Sequence, residues 1–155
     1  MERYLLQMVM GCVGAVGFAV LFNVRFNKLW LIAATSALSW LGYALCMLCA
    51  TGIFWAFFCG TVVAALISEI LARVVRVPVL MLLVPILIPL IPGSDLYRMM
   101  RDLIRGQEAA ALSYARLLLL EAVAIALGII CVATVMSIVM GLRNRKRNRN
   151  PSRCQ

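Results

Sequence analysis

Long apolar runs separated by short charged connections dominate this sequence. Five apolar segments are apparent, at about residues 4–24, 29–50, 53–75, 77–93 and 117–142. A helix needs about 20 mainly apolar residues to cross the hydrocarbon core of a bilayer. All the segments except the fourth reach that length. The pattern therefore predicts an all-α integral membrane protein with five transmembrane helices.

The fourth segment is apolar but is interrupted by Pro78, Pro85, Pro89 and Pro92, and it closes at Gly93. A proline inside a helix removes a hydrogen bond and clashes with the preceding turn, at a cost of about 3 kcal/mol or more. Within a membrane, the freed backbone groups are tolerated only where protein or a water-filled cavity satisfies them. A short apolar segment broken by proline and glycine is typical of a transporter binding site. We therefore expect a broken fourth helix that carries the function.

The residues after the break predict a short amphipathic helix, because an apolar stripe recurs through residues 96–104. Ser94 or Asp95 is expected to act as its N-cap. The N-terminus of such a helix favours an anionic group, and arginine can add bidentate contacts to a carboxylate. The alternative is an interfacial helix whose arginines meet lipid headgroups. The candidate substrate-binding residues are Pro89, Pro92, Gly93, Ser94, Asp95, Tyr97, Arg98 and Arg101.

Two carboxylates, Glu69 and Glu121, fall inside apolar segments. Ionisable residues within a membrane are functional candidates by default, so both are candidates for ion coupling. For Glu69 the alternative is an ion pair with Arg73, one turn later. Arg116, five residues before Glu121, offers a similar alternative. Asn23, at the end of the first segment, is expected to cap that helix or to contact a ligand.

Small residues recur along three segments and predict close helix packing, since small side chains let backbones approach within a membrane. The longest ridge comprises Gly52, Ala56, Gly60, Ala64, Ser68 and Ala72. Shorter ridges comprise Gly11, Gly14 and Gly17, and Ala133, Ser137 and Gly141.

Composition supports the membrane assignment. Of the 155 residues, 65% are hydrophobic, whereas about 45–50% of residues are apolar in a typical soluble domain. The mean hydropathy is +1.00. The formal charge is +9, but six basic residues lie in one tail: Arg143, Arg145, Lys146, Arg147, Arg149 and Arg153. We expect residues 1–142 to form the transmembrane domain and residues 143–155 a basic cytoplasmic tail, with no nucleic-acid partner.

The distribution of Lys and Arg predicts the orientation, because cytoplasmic loops are enriched in positive charge. With five spans and the tail inside, ten basic residues lie inside: Arg25, Lys28, Arg73, Arg76 and the six in the tail. Five lie outside: Arg3, Arg98, Arg101, Arg105 and Arg116. The N-terminus is therefore expected outside the cell and the C-terminus in the cytoplasm.

Enzymatic and metal-dependent functions are not expected. The chain has no histidine, and five of its six cysteines lie within apolar runs, where packing is the simpler role. It also lacks a Gly-x-Ser-x-Gly nucleophile motif. No cofactor or metal site is expected.

Three stretches of the sequence resemble the threonine/serine exporter family: residues 17–24 (Gly-Phe-Ala-Val-Leu-Phe-Asn-Val), residues 68–73 (Ser-Glu-Ile-Leu-Ala-Arg), and Pro78 with residues 85–93 followed by Tyr97. The chain most resembles the small, C-terminal-half subunit of split members of the family. Arg25 departs from the pattern, which has proline there. The resemblance implies a ten-helix exporter made of two five-helix halves, with threonine, serine or a C4-dicarboxylate such as succinate as substrate.

These observations together predict a subunit of a heteromeric secondary exporter in a bacterial inner membrane. Its substrate is expected to be a small carboxylate-bearing metabolite. The partner that the resemblance implies is a larger membrane subunit with a cytoplasmic domain and five further transmembrane helices, and association into a higher oligomer is a further alternative. The alternative from another class is a membrane assembly or scaffold protein that transports nothing.

Overall fold

The computed structural model describes residues 2–24, 26–49 and 52–149, and this part of the chain contains helices and no strands. The six α-helices are α1 (Glu2–Leu21), α2 (Leu29–Leu48), α3 (Ile53–Val75), α4 (Val79–Leu87), α5 (Gly93–Ile104) and α6 (Glu108–Arg149). Two short 3-10 helices, Phe26–Lys28 and Ile88–Leu90, precede α2 and follow α4. The all-helical prediction is therefore confirmed.

Three helices are long and apolar enough to cross a membrane: α2, α3 and the Glu108–Leu142 part of α6. A fourth span results if Val79–Leu90 and α5 count as one bent unit. The apolar part of α1, Leu6–Leu21, is shorter than a typical span. The structure thus supports three to four candidate spans, and the number five stays a prediction.

Helices α2 and α3 are antiparallel, which gives the bundle two distinct ends. At one end, which we call the Lys28 end, the Lys28 Nζ donates to the Val75 carbonyl at 3.2 Å. Towards the other end, which we call the Asp95 end, the rings of Tyr43 and Phe57 lie 5.0 Å apart. Helix α6 runs parallel to α3, because Gly128 packs on Thr61 and Val132 clusters with Ala65.

The small ridge of α3 packs as predicted. Ala56, Gly60, Ala64, Ser68 and Ala72 are all buried, whereas Gly52 is exposed. A Cβ on Gly60 would lie 3.1 Å from Leu90 Cδ2 and 3.3 Å from the Ser39 carbonyl, so only glycine fits without movement. The ridge lets α2 and the segment after α4 approach the α3 backbone closely.

The predicted ridge in the fifth segment behaves differently. Ala133, Ser137 and Gly141 are exposed on α6 in this structure. They make no close helix packing within the described part of the chain, so close packing of this ridge stays a prediction. Spacing identifies a face that permits close approach, but it does not specify which neighbour occupies that face.

The proline-rich segment changes direction where its helix ends. Helix α4 includes Pro85 and ends at Leu87, and the following 3-10 helix contains Pro89. The axis of Val79–Leu90 makes an angle of 57° with that of α5. Pro85 and Leu90 are buried, so protein encloses much of this turn.

Helix α5 is amphipathic, as its apolar stripe predicts, but its start differs from the expectation. Pro92 occupies the N-cap position and makes no side-chain capping bond. Ser94 and Asp95 therefore lie in the first turn, and the prediction that one of them is the N-cap was wrong. An acidic side chain in the first turn still complements the positive end of the helix dipole.

Helix α6 is longer than the fifth apolar segment. It begins at Glu108 and continues unbroken past residue 142, the expected domain boundary, to Arg149. The side chains of residues 143–149 and all of residues 150–155 lie outside the described part, as do Arg25 and Thr51.

We predict that Gly11→Ala destabilises the protein, because the new Cβ would lie 2.8 Å from Pro89 Cβ. Overpacking of this kind costs about 1–3 kcal/mol. Gly17→Ala is the matched control on the same helix, since nothing lies within 4 Å of its Cβ position. Thermal unfolding of the purified protein should show a lower midpoint for Gly11→Ala only. Equal midpoints for both variants would contradict the close contact between α1 and the turn.

Candidate functional site

A cavity of about 390 Å³ lies at the Asp95 end, directly beside the turn between α4 and α5. Its walls come from α1, α2, α3, the turn, α5 and α6. The lining residues are Gln7, Trp40, Tyr43, Met47, Ile53, Phe57, Pro89, Leu90, Ile91, Pro92, Ser94, Asp95 and Glu121. Its volume falls within the range of small-molecule sites, which is about 300–1,000 Å³.

Glu121 is the most unusual side chain of this cavity. The residue is only 1% exposed, and neither carboxylate oxygen has a hydrogen-bond partner in the described part of the chain. Burying a charge is costly unless it is paired. An unpaired, buried carboxyl group that lines a cavity is therefore suited to bind a proton or a cationic group of a ligand.

Asp95 lines the cavity with Glu121, but it has a neighbouring cation. The Arg98 Nη1 lies 3.9 Å from Asp95 Oδ1. The Arg98 guanidinium carbon is also 5.9 Å from the centre of the Tyr114 ring, a cation–π distance. Arg98 thus connects α5 with α6 and does not line the cavity.

Arg101 also has an acidic neighbour outside the cavity. Its Nε donates to Asp102 Oδ1 at 2.8 Å, and Asp102 is buried. The structure therefore does not place the two arginines where they would bind a carboxylate inside the cavity.

The first turn of α5 supplies donors to the cavity rim. The Gly93 N–H donates to the Ile91 carbonyl at 2.7 Å, and the Leu96 N–H donates to the Pro92 carbonyl at 3.2 Å. The N–H groups of Ser94 and Asp95 have no acceptor among the described residues, as expected for the first turn of a helix. Such free donors favour an anionic group.

Aromatic side chains form part of the cavity wall. The Trp40 and Tyr43 ring centres lie 5.0 Å apart, and Tyr43 meets Phe57 edge to face. The buried Trp40 Nε1 has no partner among the described groups. Sequence reasoning missed these residues, because the sequence pattern of an apolar run is the same whether its aromatic side chains face lipid, the protein core or a cavity. Gln7, a polar residue within the first apolar segment, was the one available signal.

Glu69 lies away from this cavity. Its Oε2 is 2.6 Å from the Arg73 Nη2, in the i,i+4 arrangement that the sequence offered as the alternative. Since its charge is paired on its own helix, Glu69 lacks the feature that distinguishes Glu121.

Five of the ten predicted site residues thus meet at the cavity: Pro89, Pro92, Ser94, Asp95 and Glu121. Gly93 lies between two of them in sequence. Tyr97 is 69% exposed, and Arg98, Arg101 and Glu69 are engaged elsewhere. The resulting site combines two carboxyl groups, those of Asp95 and Glu121, with the first turn of α5.

Comparison with known families identified one match. The family model described as "Threonine/Serine exporter, ThrE" matches residues 7–135, which covers most of the chain and every lining residue of the cavity. No curated protein and no solved structure matched the chain.

We predict that water reaches the turn. In a background without native cysteines, Ser94→Cys should react rapidly with a water-soluble maleimide, because Ser94 is exposed at the cavity rim. Ser68→Cys is the matched control, because Ser68 is 0% exposed in the α3 packing ridge. Labelling would be measured by mass shift in the folded protein. Equal protection of both thiols would show that the turn is dry.

Proposed function

The chain belongs to the threonine/serine exporter family, and from this premise we propose that it is one subunit of a heteromeric secondary exporter. The family and the long apolar helices together describe a membrane transport protein. The proposed substrate is a small carboxylate-bearing metabolite, either a threonine/serine-type amino acid or a C4-dicarboxylate such as succinate. The proposed role is transport and not enzymatic catalysis.

One observation supports this proposal: the buried Glu121 carboxyl group has no hydrogen-bond partner among the described residues and lines a cavity beside the turn between α4 and α5. A merely structural glutamate at this depth would be expected to have a partner. Ser94 and Asp95, whose N–H groups have no acceptor among the described residues, line the same cavity. An amino acid in its zwitterionic form would pair with both kinds of group. Its ammonium group would lie near Glu121, and its carboxylate would lie near the first turn of α5.

The lining favours the amino acid over the dicarboxylate. Two carboxyl groups, those of Asp95 and Glu121, line the cavity, and no Lys or Arg does. A second negative charge on the substrate would meet these groups without a compensating cation. The dicarboxylate stays as the second candidate, supported by the resemblance to split exporters.

Ion coupling is proposed to occur at Glu121. In the empty cavity an unpaired charge on this group is unfavourable, so a proton would neutralise it. A bound ammonium group would replace that proton, because the ion pair compensates the burial of both charges. Substrate and proton would then alternate on one carboxyl group, which is the requirement for exchange in opposite directions.

The proposed arrangement in the membrane follows from charge and from the resemblance. The chain would cross a bacterial inner membrane five times, with a broken fourth helix, its N-terminus outside and the Lys28 end in the cytoplasm. Lys28, Arg73 and Arg76 at that end agree with the tendency of positive charge to lie inside. The proposed partner is the larger subunit, with a cytoplasmic domain and five helices.

We predict that Glu121→Gln lowers export roughly tenfold or more, because it removes a charged contact to the substrate and the proton site. The residual export should also lose its dependence on pH. The matched control is Glu69→Gln, the same chemical change at a paired glutamate, which should retain the wild-type pH profile. For both variants, the export rate and its pH dependence are measured as efflux of labelled threonine, serine and succinate from loaded cells. A wild-type pH profile in Glu121→Gln would exclude Glu121 as the coupling group.

A second prediction separates the exporter from a scaffold. Efflux should require expression of this chain together with a larger membrane subunit, and Pro89→Ala should lower it while membrane insertion and assembly persist. Flux and co-purification are measured on the same cells. If co-expression changes no solute flux although the subunits assemble, the scaffold alternative is supported.

A further inference from the structure

A second cavity, of about 330 Å³, lies at the Lys28 end, on the opposite side of the bundle from Glu121. It is formed where α1 ends, α2 begins, α3 ends and α4 begins. Its polar lining consists of Asn23, Lys28 and Arg76, and its other lining residues are apolar. No acidic residue lines it, so this cavity is cationic where the first is acidic.

Both cations retain hydrogen-bonding capacity. The Lys28 ammonium uses one donor for the Val75 carbonyl, and an ammonium group has three. The Arg76 N–H donates to the Ala72 carbonyl, and its guanidinium group makes no ion pair or hydrogen bond with the described residues. The nearest acid on its helix, Glu69, is paired with Arg73. Capping of the α3 C-terminus therefore explains part of the Lys28 position but leaves two cationic groups available to a ligand.

Backbone geometry holds two of these groups at the cavity. Asn23 and Arg76 both have φ of 56°, and they are the described non-glycine residues with positive φ. Each terminates a helix in a turn whose next N–H reaches back five residues: Val24 to the Ala19 carbonyl and Val77 to the Ala72 carbonyl, both at 3.0 Å. Asparagine tolerates this conformation, whereas arginine adopts it only at an energetic cost. Glycine would adopt it more readily, whereas the arginine at position 76 places a cationic side chain at the cavity.

The depth of the cavity indicates the kind of anion. The apolar span of α2 begins at Leu29 and that of α3 ends at Val75, so Lys28 and Arg76 lie at the border of the apolar layer. Phe26 and Trp30, on either side of Lys28, are 80% and 66% exposed. Exposed aromatic residues at this position are typical of the membrane interface, where the lipid phosphates lie. Basic pockets between helix ends at this level bind anionic lipid headgroups.

We propose that the cavity at the Lys28 end binds the phosphate of an anionic phospholipid, with Lys28 and Arg76 as its charged ligands and Asn23 as a polar contact. The apolar residues Val77, Met81 and Leu82 continue the cavity along α4. They would contact the glycerol backbone and the upper acyl chain. A free anion would use the cations but would gain nothing from this apolar side.

The test is native mass spectrometry of the purified full-length protein, with its partner subunit where one co-purifies, titrated with dioleoyl-phosphatidylglycerol or dioleoyl-phosphatidylcholine. The wild type should retain phosphatidylglycerol in preference to phosphatidylcholine. The Lys28→Gln/Arg76→Asn double variant should bind phosphatidylglycerol roughly tenfold or more weakly, because two interfacial charges are lost. Its phosphatidylcholine binding should not change. Asparagine is chosen at position 76 because it accepts the positive φ.

Two controls make the result decisive. Arg105→Gln/Arg116→Gln removes the same number of charges from exposed positions near the Asp95 end and should leave phosphatidylglycerol binding unchanged. Lys28→Arg/Arg76→Lys conserves both charges and should retain binding if folding is intact. Wild-type affinity in the neutral double variant, or an equal loss in the Arg105/Arg116 control, would overturn the proposal. Displacement of phosphatidylglycerol by millimolar inorganic phosphate would also overturn it, in favour of a free-anion site.

Discussion

The structure depends on the enclosure of one interrupted stretch of backbone. Between Leu87 and Gly93 the chain cannot continue a regular helix, because proline removes donors and clashes with the preceding turn. Apolar surroundings do not satisfy the freed backbone groups, so other protein must enclose them. Two glycines permit this enclosure: Gly11 of α1 lies against Pro89, and Gly60 of α3 lies against Leu90. The turn therefore rests between two helices at positions where any side chain would intrude.

The same turn creates the candidate site. Because the axis bends by 57°, α5 lies against α6 and does not extend α4, and its first turn faces the cavity that Glu121 lines. Arg98 stabilises this placement, because it lies near Asp95 on its own helix, α5, and over the ring of Tyr114 on α6. The free N–H groups of α5 and the unpaired carboxyl group of α6 thus come together through a change of chain direction. Their combination suits a ligand that carries one positive and one negative charge.

The two cavities are lined by side chains of opposite charge. Carboxyl groups line the cavity at the Asp95 end, and basic groups line the cavity at the Lys28 end. Between them, the buried hydroxyl groups of Ser36, Thr61 and Ser68 have no hydrogen-bond partner among the described residues. Polar groups at such depth are costly to bury without a partner, and Thr61 lies where Gly128 of α6 packs on α3.

The sequence by itself determined the helical class, the end of regular helix within the proline-rich segment, the packing ridge of α3 and the two carboxylates within apolar segments. These follow from local rules: the length of the apolar runs, the missing N–H of proline, and the four-residue spacing that places Gly60 and Ala64 on one face of the helix. The sequence did not determine which carboxylate is paired, since Glu69 and Glu121 each had an arginine nearby in the chain. Only the tertiary structure decided that Arg73 reaches Glu69 while Glu121 faces a cavity. It also assigned Arg98 and Arg101 to acidic neighbours and brought Trp40 and Tyr43 to the cavity wall. The physical reason is that charge pairing and cavity lining depend on distances between helices, and local sequence spacing does not contain those distances.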